Sequence, residues 1–144
     1  MIQSRIRTAT TADINPLLAF WAAAAEGTSV SDDPAGVANL IARDPEALLI
    51  AETTGPAGPA IVGTVIAGFD GWRCHLYRLA VSPAHRRQGI GSALVSAAEE
   101  RFKALGGRRG DAMVLDRNTL AHSAWSAAGY HREDDWSRWI KPLA

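Results

Sequence analysis

The sequence predicts an α+β fold, a mostly antiparallel sheet flanked by helices. Three observations carry that prediction. β-rich apolar runs recur at "ALLIAE" (47–52), "AIVGTVIAGF" (60–69) and "CHLYRLAV" (74–81), and the Asp70-Gly71 pair between the last two is a strong hairpin signal. Apolar residues also recur at helical spacing, first in Leu17, Leu18, Trp21, Ala24 and Ala25, then in Leu94, Val95, Ala98, Phe102 and Leu105. Gly- and Pro-rich stretches such as "TTGPAGPA" separate these segments. The 144 residues suit one domain, 1–144, with its own core.

Taken in order, Ile2, Arg5, Arg7 and Thr8 fit a short first strand. Thr11 caps the first helix, with Asp13 in its first turn and Pro16 near its start. "EGTSVSDDPAG" is loop. A second helix covers Pro34–Arg43, with Val37, Leu40 and Ile41 apolar and Asp33 placed to cap it. The three β-rich runs follow, and Ser82-Pro83 ends the third. A helix over Gly91–Leu105 stops at Gly106-Gly107. "AMVLD" (112–116) reads as a short buried strand, and Asn118 caps a further helix to about Ala128. Tyr130–Ile140 suggests a last hairpin turning at Glu133–Asp135. The expected order is β-α-α-β-β-β-α-β-α-β-β.

Composition narrows the function. Fifteen basic and fifteen acidic residues give a formal net charge of zero. No global field draws the chain to nucleic acid or to an anionic membrane, so any bound anion is captured by a local site. Neither nucleic acid nor membrane is an expected partner. Cys74 is the lone cysteine, which excludes an intrachain disulfide and fits a reducing cytoplasm. The apolar run Leu17–Ala25 is far shorter than a membrane span, and "MIQSRIRTAT" lacks a signal pattern. The four histidines show no metal-ligand spacing, so no metal is expected.

"HRRQGIG" (85–91) is the stretch with anion-binding chemistry. No G-x-x-x-x-G-K-[ST] string occurs, which removes a P-loop. A dinucleotide fingerprint fails because position 94 is Leu and a hairpin leads in. What remains is R-x-x-G-x-G between a strand and a helix: Arg86, Gly89 and Gly91. Glycines let the backbone approach a phosphate, and the first helical turn presents free N–H groups with a favourable dipole. A glycine cap beside a solvated basic patch fits the same residues.

The surrounding sequence adds to this. "LYRLAVSPAHRRQGIGSALVSAAEERFKALG" (76–106) resembles the acetyl-CoA-binding core of the GCN5-related N-acetyltransferase (GNAT) superfamily. Leu79, Val81 and Pro83 stand at that family's L-x-V-x-P pattern, and Asn118, Ala121, Trp125, Gly129 and Tyr130 at its downstream spacing. The resemblance is to small, poorly characterised bacterial members. It implies a mixed, mostly antiparallel sheet whose central parallel strands splay apart. It implies acetyl-CoA as cosubstrate, with backbone contacts from Leu79 and Val81. The pyrophosphate would rest on the amides of Arg87, Gln88, Gly89, Ile90, Gly91 and Ser92, with Arg86 shaping the loop. Asn118 and Trp125 would lie along the pantetheine, and Asn118 would cap its helix as well.

The implied reaction is direct attack of a primary amine, on a small molecule or a peptide, in a ternary complex. Two positions depart from the family pattern. Trp125 stands where the usual acid is a tyrosine, and Tyr77 where the usual base is a glutamate. His122, three residues before Trp125, is a candidate substitute acid, and Tyr77 is a poor base with an ordinary pKa of about 10. His75 shares a strand face with Tyr77 and Leu79 if no bulge intervenes. Glu26, Asp32 and Asp33 fall in a loop that borders the acceptor pocket in this family. A CoA-binding sensor or interaction module with little catalysis is the alternative that these departures keep open. Trp136 and Trp139 would fall on opposite faces of the last strand, leaving one for solvent or for a second copy in a homodimer.

Overall fold

The computed structural model describes residues 4–27 and 29–143. Strands β1 (Ser4–Thr8), β2 (Leu48–Thr53), β3 (Ile61–Phe69), β4 (Cys74–Val81) and β5 (Gly110–Ala112) form one sheet in the order β1-β2-β3-β4-β5. All neighbours are antiparallel except β4 and β5, which run parallel. Ile2, expected in the first strand, lies outside the described residues.

Helices cover both faces. α1 (Ile14–Ala24) and α2 (Pro34–Arg43) place Leu17, Trp21, Val37 and Ile41 against Leu48 and Ile50 of β2. α3 (Ile90–Ala104) and α4 (Thr119–Ala127) place Leu94, Val95, Ala98, Phe102 and Trp125 against Leu49, Ala51, Val65, Ala67, Cys74 and Leu76. β2 is therefore buried on both faces, which is why "LLIA" (48–51) is a continuous apolar run rather than an alternating one. Each fully buried Leu or Ile here contributes about 2 kcal/mol by leaving water. Among the described residues no helix is long and apolar enough to cross a membrane.

Local signals explain most boundaries. Asp33 accepts from Gly36 N–H at 2.7 Å, and Pro34 occupies the first turn, so α2 begins where the sequence places it. Asp70 Oδ1 accepts from the N–H groups of Trp72 and Arg73, closing the β3–β4 turn. The entry to α1 differs from expectation. Thr10, in extended backbone, is the cap of a short 3-10 turn at Thr11–Asp13, and the Asp13 carboxylate accepts from its N–H at 2.8 Å.

Two expected elements change. β5 ends at Ala112, so 113–116 is not strand. Its pairing stops at Leu76↔Ala112, just before β4 bulges at Arg78 and bends away. Tyr130–Ile140 holds no strand, and Trp136, Trp139 and Ile140 face solvent. The charges of that segment are tied instead to the chain beside β5: Arg109 to Glu133, and Arg132 to Asp116.

Candidate active site

The site is built on the point where β4 parts from β5. Beyond Leu76, β4 keeps β3 as its neighbour, while residues 113–118 diverge toward α4. A cleft opens between them, lined by Leu76–Leu79 on one side and by Met113–Leu115, Asn118, Ala121 and Trp125 on the other. Ala25 and Glu26, from the end of α1, border its mouth.

A bulge shapes the β4 wall. Thr64 pairs with Ala80 and Ile66 with Tyr77, so β4 spends one extra residue between them. Arg78 takes a positive φ of 50° there. Side-chain parity flips across it. Cys74 and Leu76 face the α3 side before the bulge, and Leu79 and Val81 do so after it. Leu79 thus does not share a face with His75 and Tyr77.

Three buried or half-buried side chains hold the bulge. The Thr64 hydroxyl donates to the Arg78 carbonyl oxygen at 2.8 Å and accepts from the Trp21 indole N–H at 2.9 Å. The Arg78 guanidinium lies 5.7 Å from the Trp21 ring centroid, pairs with Asp32, and donates to the carbonyls of Glu26 and Gly27. The loop after α1 is thereby tied to the splay point. Sequence reasoning missed Thr64 and Arg78. The one signal available was an arginine breaking an apolar strand.

The "HRRQGIG" loop follows β4 directly. Arg87 and Gly89 both adopt left-handed backbone, with φ of 63° and 80°. Such residues turn successive N–H groups toward one side and form an anion-binding concavity. Helical hydrogen bonding starts with Ala93 N–H donating to the Gly89 carbonyl at 3.0 Å, so the amides before Ala93 form the free N-terminal set of α3. Arg86, Arg87, Gln88, Gly89 and Ser92 are exposed, whereas Ile90 is buried and anchors the helix. Gly91 lies over Val81, its missing Cβ 3.6 Å from Cγ2, so the loop and the strand end meet. His85 Nδ1, in the same loop, is buried without a hydrogen-bond partner among the described residues.

On α4, Asn118 Oδ1 accepts from Ala121 N–H at 3.2 Å while the residue also lines the cleft. Trp125 is 8% exposed and packs edge-on against Tyr130 at 4.9 Å. The Tyr130 hydroxyl donates to Glu99 at 2.8 Å; burial and this bond push its pKa up. The ring nitrogen Nε2 of His122 bonds the Leu115 carbonyl at 3.1 Å, and the residue is not part of the cleft wall.

Tyr77 is on the wall and 42% exposed. Burial, aided by Asp70 and opposed by Arg138, holds its phenol above the usual range. A phenol kept protonated donates a hydrogen bond and does not take a proton at neutral pH. His75 stacks at 5.9 Å from it and lies 3.7 Å from Asp70. The three loop carboxylates separate by partner: Asp32 holds Arg78, Asp33 caps α2, and Glu26 lines the cleft.

A profile of the acetyltransferase (GNAT) family matches residues 13–130. The chain belongs to this family. Over 104 residues it is 33% identical to an acetyltransferase of Yersinia enterocolitica, covering 72% of this chain and 71% of that protein. An aminoglycoside 6'-N-acetyltransferase of Acinetobacter haemolyticus superposes with a TM-score of 0.74 at 17% identity, over 97% of this chain and 99% of the other. A further aminoglycoside N-acetyltransferase, solved with CoA, gives a TM-score of 0.74 at 15% identity, over 100% of this chain and 97% of the other. At such identities the likeness is one of fold. It places the splayed GNAT sheet, expected from the sequence, in this chain.

Proposed function

We propose that this GNAT chain is an acetyl-CoA-dependent N-acetyltransferase acting on a primary amine. The observation that carries the reading is the cleft between β4 and residues 113–118, on a strand whose end at Val81 meets Gly91 in the first turn of α3. An extended thiol-bearing arm fits the cleft, and a pyrophosphate fits the left-handed loop at Arg87–Gly89 and the first turn of α3. The orphaned His85 Nδ1 beside that loop suits a ligand acceptor.

Acetyl-CoA, when bound, supplies a thioester whose carbonyl carbon takes the amine nitrogen as the C–S bond breaks and the thiolate departs. Backbone groups of Leu79 and Val81 hold the arm, and an N–H of β4 past the bulge serves the developing oxyanion. Asn118 and Trp125 close the opposite wall, while Arg86, Arg87, Gln88, Gly89, Ile90, Gly91 and Ser92 form the phosphate end. Glu26 takes one proton from the incoming ammonium through water. The second amine proton passes through water to the thiolate, whose conjugate acid has a pKa of about 8.5. Tyr77 donates a hydrogen bond at the cleft wall. His122 orients the segment at Leu115 and delivers no proton in this scheme.

One observation favours the alternative, a CoA-binding module with little catalysis. Trp125 is packed into the core where a proton donor would serve, and an indole gives up no proton at useful pH. A thiol-release assay over a panel of amines separates the two. Amine-dependent release supports the transferase; tight coenzyme binding without release on any amine supports the module.

A further inference from the structure

We propose that the acceptor is a primary amine with one positive charge and an apolar body, its ammonium paired with Glu26 and its body lying on Met113, Leu115 and Tyr77. This rests on the acetyl-transfer reading and names its substrate class.

Charge is the first ground. Among the described residues, Glu26 is the carboxylate that lines the cleft. The carboxylates around it are already engaged: Asp32 with Arg78, Asp33 with the Gly36 amide, Asp116 with Arg132 at 3.2 Å. The Arg78 charge is neutralised by Asp32, so Glu26 is the carboxylate left without a cationic partner among the cleft-lining residues. A polyamine or a polyamino sugar would bring several ammonium groups to a mouth that matches one.

Apolar surface is the second. Val114 packs on the core beneath, which turns its neighbours outward: Met113 is 56% exposed and Leu115 37%. Leu115 also reaches across to the loop after α1, where a Cβ on Gly27 would sit 3.0 Å from its Cδ1. Glu26 and this apolar ledge therefore face one acceptor from two sides. An ammonium laid on the ledge would lose hydration without gaining a partner, whereas an alkyl or aryl body would gain by leaving water.

The test uses a matched pair, hexylamine and 1,6-diaminohexane, which differ by one ammonium. Calorimetry on the full chain saturated with coenzyme A reads acceptor binding, and thiol release from acetyl-CoA reads turnover. Hexylamine should bind about tenfold more tightly than the diamine. Glu26→Gln should weaken hexylamine about tenfold and leave coenzyme affinity in place. Met113→Glu, at an exposed position, should shift preference toward the diamine by about fivefold or more. Equal or tighter binding of the diamine, an unchanged hexylamine affinity in Glu26→Gln, or binding of neither amine to the coenzyme-loaded chain overturns the proposal alone. Failure of the coenzyme itself to bind overturns the acetyl-transfer reading and the proposal with it.

Discussion

Thr64 holds the backbone of Arg78: its hydroxyl donates to the Arg78 carbonyl oxygen over 2.8 Å. The Thr64 hydroxyl oxygen accepts in turn from the Trp21 indole N–H, so one fully buried hydroxyl joins α1, β3 and the bulge of β4. The bulge decides which side chains face the cleft, and the cleft decides the chemistry. Thr64→Val keeps the shape but leaves a buried carbonyl and a buried indole N–H unpaired. The expected loss is about 2–3 kcal/mol in urea unfolding, with Thr64→Ser retaining most of the stability. A Val variant as stable as the parent would mean that the bulge needs no such pin.

Gly89 makes the proposed phosphate loop a matter of backbone shape. A Cβ there would meet nothing within 4 Å, but its φ is 80°. To the close backbone approach that a glycine allows, the structure adds backbone strain as a second reason for glycine here. Gly89→Val should cost about 1–2 kcal/mol and move the amides ahead of Ala93. Coenzyme affinity should fall at least about tenfold by calorimetry while the fold persists by circular dichroism. Unchanged affinity would remove the loop from the binding site.

Trp125→Tyr tests the place where the chain departs from the family pattern. Trp125 packs against Tyr130 in the core, so the smaller ring should cost about 1–2 kcal/mol of stability. Coenzyme affinity should stay within about threefold, and kcat should hold or rise, since a phenol brings a hydroxyl to the cleft wall. A collapse of coenzyme binding would show that the indole carries the ligand.

The entry to α1 sets the acid limit of stability. Hydrogen bonds from Arg7, opposed by burial and aided by the Thr10 N–H, lower the Asp13 pKa from 3.8 to about 2. Glu52, pushed up by burial, is pulled lower overall by Arg5 and Arg7. Both carboxylates stabilise the fold in their ionised form. That stability is complete above the unfolded pKa near 4 and is lost as pH falls toward 2. Asp13 alone should account for about 2 kcal/mol in urea unfolding across that range. Arg7→Met should flatten this limb; an unaltered profile would place the acid sensitivity elsewhere.

Much of this was legible in the residues. Asp33-Pro34 set the start of α2 because capping is a local interaction, and β4 fell at Cys74–Val81 because Ser82-Pro83 ends it. The GNAT fold was implied by the family resemblance that Leu79–Pro83 and Asn118–Tyr130 carry. What escaped was tertiary. Nothing near Arg78 signals a positive φ, since the contacts that impose it come from Thr64, Trp21 and Asp32, all distant in sequence. The bulge then shortened β5, so the apolar pattern of 112–116 became a cleft ledge rather than a strand. In the C-terminal segment, Trp136 and Trp139 have a strand's composition but no strand beside them to pair with.

Titration of acetyl-CoA into the full chain is the decisive experiment. Saturable binding at one site in the micromolar range, followed by thiol release once a primary amine is added, is the expected result. No heat of binding up to millimolar ligand would contradict it.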